Sequence, residues 1–198
     1  VAFPNPEEPG AMDLAEATAS AADAQLIIAH DPDADRLAVA IPDASSATGW
    51  RRLTGNEVGL LLGWRAAERE AARGGSGTLA ASIVSSPGLA TIADHFGLPY
   101  RDTLTGFKWV SRVENLAFGY EEALGYLVNP ASIRDKDGIS ASTEFLAMAG
   151  ELAAAGRTVA DRLREADEVF GAFASSQVSV RVTELAAIGR IMARIRDA

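Results

Sequence analysis

Between Trp50 and Val128 the chain alternates short β-branched or apolar runs with helix-forming stretches, a rhythm that few folds accommodate. Trp50-Arg51-Arg52-Leu53 reads as a short strand that meets Thr54-Gly55-Asn56-Glu57, a helix entry ahead of the apolar-rich Val58 to Ala72. Arg73 to Gly77 ends that helix, and Thr78 to Ser85 has the composition of a buried strand. Pro87 to Phe96 predicts a short helix, Leu98 to Thr103 a strand, and Phe107 to Leu116 a helix entered from Thr105-Gly106. Gly119 to Val128 reads as a strand, a loop and a strand around two adjacent glutamates. Such alternation predicts an α/β domain whose sheet is at least partly parallel.

Ahead of this unit, Ala11 to Ala22 is built mostly from helix formers, and Gln25 to Ala29 and Leu37 to Ile41 are apolar runs joined by the acidic turn His30 to Arg36. Pro42 to Gly49, rich in Ser, Ala and Asp, marks a loop or domain boundary. Behind it, Ser140 to Ala155 and Val159 to Val169 predict helices, Gln177 to Val182 a strand opening another domain, and Glu184 to Arg196 a helix.

With 198 residues, 48% of them hydrophobic, the chain can bury a sizeable core in one large domain or two small ones. A net charge of -9 lacks the basic footprint that nucleic acid or an anionic membrane surface requires, though a single cationic pocket is compatible with it. The absence of cysteine excludes disulfides, thiolate metal sites and a thiol nucleophile, and fits a cytoplasmic location. No apolar stretch approaches the roughly 20 residues that span a bilayer, and the opening has no signal-peptide pattern. Because the first residue is Val1 and the opening reads like a mid-protein loop, truncation is expected.

Chemistry concentrates in four places. Asp31-Pro32-Asp33-Ala34-Asp35-Arg36 sets three carboxylates at alternate positions between two strands, hard oxygen ligands suited to Mg²⁺ or Ca²⁺, with an arginine fork for a phosphate beside them. A solvated acidic turn is the alternative. An EF-hand does not fit, because Arg36 and Pro42 stand at the sixth and twelfth loop positions. Thr105-Gly106-Phe107-Lys108-Trp109 offers a glycine turn, backbone donors at a helix start and one cation, or simply a helix entry with a surface lysine. Tyr120-Glu121-Glu122-Ala123-Leu124-Gly125-Tyr126 presents two carboxylates able to accept bonds from vicinal hydroxyls, unless they are merely solvated. Arg134-Asp135-Lys136-Asp137-Gly138 alternates charges before a glycine, as exposed turns also do. His30 and His95 sit in no ligand pattern and are expected to be structural.

Taken together, these motifs resemble the α-D-phosphohexomutases, the phosphoglucomutase/phosphomannomutase family. The acidic turn is similar to that family's Asp-Pro-Asp-X-Asp-Arg magnesium loop, the Thr-Gly-Phe-Lys-Trp segment to that of its bacterial glucose-mutase branch, which also resembles phosphopentomutases, the paired glutamates to its sugar-specificity loop, and Lys136-Asp137-Gly138 to its Lys-Asp-Gly motif. The resemblance covers almost the whole chain. It implies mixed-sheet α/β domains with flanking helices and an incomplete set of them: the end of a metal-binding second domain (1–43), a whole sugar-binding third domain (44–170), and the start of a phosphate-binding fourth (171–198).

The same resemblance implies Mg²⁺ on Asp31, Asp33 and Asp35, with Arg36, Lys108, Glu121, Glu122 and Lys136 as substrate-binding residues. Lys136 could also serve in proton transfer. Ala123 stands where the family commonly has Ser, and Tyr120 where it has Gly, which favours Glu121 as the sugar ligand and leaves the preferred sugar open. The activity implied is a phosphate shift between C1 and C6 of a hexose through an enzyme phosphoserine and a hexose 1,6-bisphosphate intermediate. The phosphoserine motif and the distal arginine-rich loop are absent, since Thr18-Ala19-Ser20 continues into a predicted helix, so the nucleophile is not assigned to Ser20 and the chain alone is expected to be inactive without the missing N- and C-terminal domains. A non-catalytic divalent-cation or phosphosugar-binding module, and a phosphatase using an aspartyl nucleophile, are the rival readings.

Overall fold

The computed structural model describes residues 5–176 and 182–197, so most of the strand expected over Gln177–Val182 lies outside the described residues. Its first unit is helix α1 (Asp13–Ala21) on an antiparallel sheet of β1 (Ile27–Ala29), β2 (Ala38–Pro42) and β3 (Trp50–Arg52). Ile28 pairs with Val39, and Ile41 with Arg51. Both faces of β2 are covered, as its unbroken apolar run anticipates. Ala40 packs with Ile27, Trp50 and the Met12 and Ala19 side chains by α1, while Val39 and Ile41 face the main core.

The second unit is a four-stranded sheet ordered β5 (Tyr100–Thr103), β4 (Thr78–Ser82), β6 (Leu116–Glu121), β7 (Gly125–Leu127). The first three strands are parallel and β7 returns antiparallel, which bears out the expectation of a partly parallel sheet. Helices α2 (Gly55–Ala72) and α3 (Gly88–His95) are joined by α5 (Gly138–Ala154) and α6 (Val159–Phe170), and α7 (Leu185–Arg196) follows. The entry to α2 is a capping box: Thr54 Oγ1 accepts from the Glu57 N–H at 3.2 Å, and Glu57 Oε2 accepts from the Thr54 N–H at 2.7 Å.

Gly55, Gly59 and Gly63 form one stripe of α2, and each is where the helix comes close to a neighbour: the end of β6, β6 itself, and α3 beside β6. A Cβ would stand 1.7 Å from the Glu122 carbonyl oxygen, 2.4 Å from the Tyr120 ring and 2.4 Å from Leu89, respectively. The helix therefore lies close against β6, with Phe118, Tyr120 and Tyr126 fully buried beneath it. Leu37, Val39 and Ile41 of the first unit share this core with Leu61, Tyr120, Tyr126 and Phe145 of the second.

One expectation needs correction. The helix foreseen over Phe107–Leu116 stops after one turn, as α4 (Phe107–Val110), and Leu116 instead opens β6. Asn115 takes a left-handed conformation with φ 51°, its side chain donates to the Ser76 carbonyl at 2.9 Å, and its carbonyl accepts from Thr78 at 2.7 Å. These bonds fix a turn into the sheet that local helix preference cannot outweigh.

Candidate active site

The turn between β1 and β2 holds the three aspartates so that one carboxylate oxygen from each lies within 4.8 Å of the others. Asp31 is buried, Asp35 half-buried and Asp33 exposed. The turn closes through the Ala34 N–H on the Asp31 carbonyl at 3.0 Å, with Ala34 at φ 59°, a left-handed conformation that an alanine adopts at a cost. Arg36 folds back on Asp31, its Nε 2.7 Å from Oδ2 and its backbone N–H 3.2 Å from Oδ1. Burial pushes the Asp31 carboxyl up, but the Arg36 hydrogen bonds and charge outweigh it and hold the group below its usual range.

Two other segments are fastened to this turn by backbone bonds. Arg36 bridges Gly125, and the Leu37 N–H donates to the Leu124 carbonyl at 3.1 Å, which brings the glutamate loop alongside. The Gly138 N–H donates to the Ala34 carbonyl at 3.2 Å, where a Cβ would lie 2.5 Å from the Arg36 oxygen, so the third residue of Lys-Asp-Gly has to be glycine. This contact delivers Lys136, whose Nζ lies 2.5 Å from Asp35 Oδ2. Burial lowers the Lys136 pKa, but the bond and attraction of Asp35 outweigh it and raise the group above its usual value.

The remaining site residues stand where the parallel strands end, the usual place for a binding crevice in such sheets. Glu121 closes β6, and its Oε1 accepts from the Gly106 N–H at 2.5 Å. Glu122 turns the other way: its Oε2 accepts from Ser82 at 3.1 Å and Ser85 at 3.0 Å, and it lines a cleft of about 530 Å³ with Arg52, Thr54, Asn56 and Ser175. Phe107 packs on Gly125 beside the Lys136 stem. Lys108 is exposed and makes no ion pair among the described residues, its Nζ lying 5.5 Å from the centre of the Trp109 ring. Asp31, Asp33, Asp35, Arg36 and Lys136 are thus gathered at one point. Glu121 is tied to the Gly106 turn, and Lys108 stands apart.

A hollow of about 670 Å³ lined by Arg69, Arg73 and Arg134 lies away from the aspartates. His30 bonds Ser142 at 2.8 Å, and the His95 ring sits edge-on to Phe170. Ser20, on α1, accepts from the Trp50 indole at 2.9 Å. Ser82 and Ser85 escape sequence reasoning, because nothing in a Ser-rich strand end says which carboxylate it will meet.

Residues 54–170 match the model of phosphoglucomutase/phosphomannomutase, alpha/beta/alpha domain III, and residues 1–44 that of domain II. The chain belongs to the phosphoglucomutase/phosphomannomutase family, and its two matched segments are those of domains II and III. It is 52% identical over its whole length to a Haemophilus influenzae protein named "Probable phosphomannomutase", and 43% identical over 74% of its length to the Saccharomyces cerevisiae phosphoribomutase. It spans 40% and 25% of those two proteins. Among solved structures, a phosphoglucomutase/phosphomannomutase family protein from Burkholderia thailandensis superposes with a TM-score of 0.66 at 19% identity, over 82% of this chain and 33% of that one. An Aspergillus fumigatus N-acetylphosphoglucosamine mutase in complex with GlcNAc-6P and magnesium gives 0.54 at 18%, over 80% and 35%. At these identities the two structures speak for the fold.

Proposed function

We propose that this chain supplies the metal site and the sugar grip of a phosphosugar mutase that moves a phosphate between the 1-position and the terminal hydroxymethyl of a sugar. The observation that carries this reading is the convergence of Asp31, Asp33, Asp35, Arg36 and Lys136 beside a glutamate loop, within the second and third domains of this family. Three carboxylates gathered within reach of one point form an all-oxygen donor set, which suits a hard divalent cation. Mg²⁺ bound there would neutralise charge on the phosphoryl oxygens during transfer.

The chain's own groups do the rest. Arg36 holds Asp31 in place, and Lys136 offers a cation at the edge of the same group for a phosphate oxygen, with proton transfer as a second duty. Glu121 is placed to accept from sugar hydroxyls, and Lys108, free of carboxylates, to meet a phosphate. The phosphoserine and the second phosphate clamp would come from the rest of the full-length protein, with a sugar bisphosphate as intermediate. The rival reading, an aspartyl nucleophile at Asp31, would show as release of inorganic phosphate that Asp31→Asn abolishes.

The test is turnover of glucose, mannose and ribose 1-phosphates by the full-length protein with and without Mg²⁺. Magnesium-dependent formation of at least one product phosphate is expected, with no turnover from the 198-residue chain alone. Absence of turnover of all three by the full-length protein would sink the reading.

A further inference from the structure

We propose that Ser85, with Ser82 beneath it, is a positioning residue for the sugar-gripping loop 120–125, acting through Glu122. The proposal rests on the mutase reading for its substrate and on geometry for its mechanism. Both serines leave the carboxyl end of β4. Ser82 is 1% exposed, and its Oγ lies 2.8 Å from that of Ser85.

Ser85 meets Glu122 twice, donating to Oε2 at 3.0 Å and accepting from the Glu122 backbone N–H at 3.1 Å. The Ser82 hydroxyl reaches the same Oε2 at 3.1 Å. Two hydroxyl protons can therefore point at one carboxylate oxygen while a Ser85 lone pair takes the amide. On the far side, the Glu122 carbonyl rests against Gly55, where not even a methyl group would fit. Glu122 is gripped at its side chain, its N–H and its carbonyl.

Glu121 is held quite differently. Its carboxylate takes one bond, from the Gly106 N–H, and stays partly exposed at the mouth of the site. Two neighbouring carboxylates thus divide the work, one clamped and one presented. The clamp also fixes the backbone that runs into Leu124, which holds φ 66° and accepts from Leu37 beside the acidic turn. Without the Ser85 hydroxyl, Glu122 loses a side-chain donor and its amide partner, and is free to turn into the open cleft it lines. Glu121 and its tie to Gly106 then shift together.

In the full-length protein, Ser85→Ala is expected to raise KM about tenfold for whichever of glucose, mannose or ribose 1-phosphate the wild type turns over, with kcat and Mg²⁺ affinity within about twofold. Ser85→Thr, which keeps the hydroxyl, should restore KM. Backbone amide hydrogen exchange over segment 103–109, which contains the Gly106 N–H, should quicken about tenfold in Ser85→Ala and not in Ser85→Thr. This readout needs no substrate. Faster exchange with no turnover by the wild type would remove the mutase reading and leave the clamp standing. Unchanged exchange and KM in Ser85→Ala, or equal damage from Thr and Ala, would overturn the clamp. Should Ser85→Ala fail to fold, Glu122→Gln, which keeps the shape and weakens the acceptor, has to move both readouts in the same direction for the proposal to survive.

Discussion

The acidic turn 31–36 and the segment 103–110 both bring charge to the site, yet they are built on opposite plans. In the turn, two of the three carboxylates have a cationic partner, Asp31 in Arg36 and Asp35 in Lys136, Asp33 is left exposed, and the backbone is bonded to two distant loops. Lys108 rides on a single helical turn, exposed, with the exposed Trp109 ring beside it and no ion pair among the described residues. On the proposed reading, the turn would hold a charge fixed during chemistry, whereas the lysine could reorient at little cost to meet a ligand.

Four experiments break or sharpen this contrast. The largest effect is expected from Asp33→Ala, which removes the exposed member of the oxygen set: Mg²⁺ affinity of the full-length protein, read by calorimetry, should fall at least about a hundredfold with the melting temperature little changed. Gly138→Ala attacks the fastening instead. Its Cβ would meet backbone oxygens of Arg36 and Ala34 that cannot swing aside, so a loss of about 3 kcal/mol in denaturant unfolding is expected, with Lys136 displaced as well. Lys108→Met should raise KM for the sugar phosphate about tenfold and leave stability within about 0.5 kcal/mol. A loss of stability as large as that of Gly138→Ala would show that the segment is no more adaptable than the turn.

The smallest effect lies in pH. Asp31 has a folded pKa below its usual 3.8, so its contribution to stability is complete above that value and is lost as the pH falls through the lowered one. Lys136 has a folded pKa above 10.5, so its contribution is complete below 10.5 and is lost as the pH rises through the raised one. Melting temperature should therefore be flat between these limits as far as this turn is concerned. Lys136→Met should remove only the alkaline loss, and a change at the acid end would assign that loss to another group.

What the sequence discloses follows the range of the forces involved. The acidic turn stands out because its three carboxylates at alternate positions lie between two apolar runs with an arginine beside them, and the α2 entry because Thr54 and Glu57 satisfy each other locally. The partly parallel sheet follows from alternation alone. Less legible is whatever depends on a distant neighbour: Leu116 enters a ladder with Thr78 instead of extending a helix, and Ser85 finds Glu122 across 37 positions. The glycines of α2 would read as helix weaknesses, and only the Tyr120 ring and the Glu122 carbonyl show why Gly59 and Gly55 are there.

The place of β3 has one more consequence. The loop 43–49 is turned outward between β2 and β3, closed by the Asp43 N–H on the Gly49 carbonyl at 2.8 Å, yet both flanking strands belong to one sheet, and Ala40 and Trp50 share the small cluster beside α1. A single cut in that loop should not release two independent bodies. It should leave a nicked heterodimer whose halves reassemble through the β2 and β3 ladder, with the aspartates on one polypeptide and Lys136 on the other. The loop is thus a natural joint for a split-protein reporter, in which mixing the two halves should rebuild the proposed cation site across a non-covalent seam.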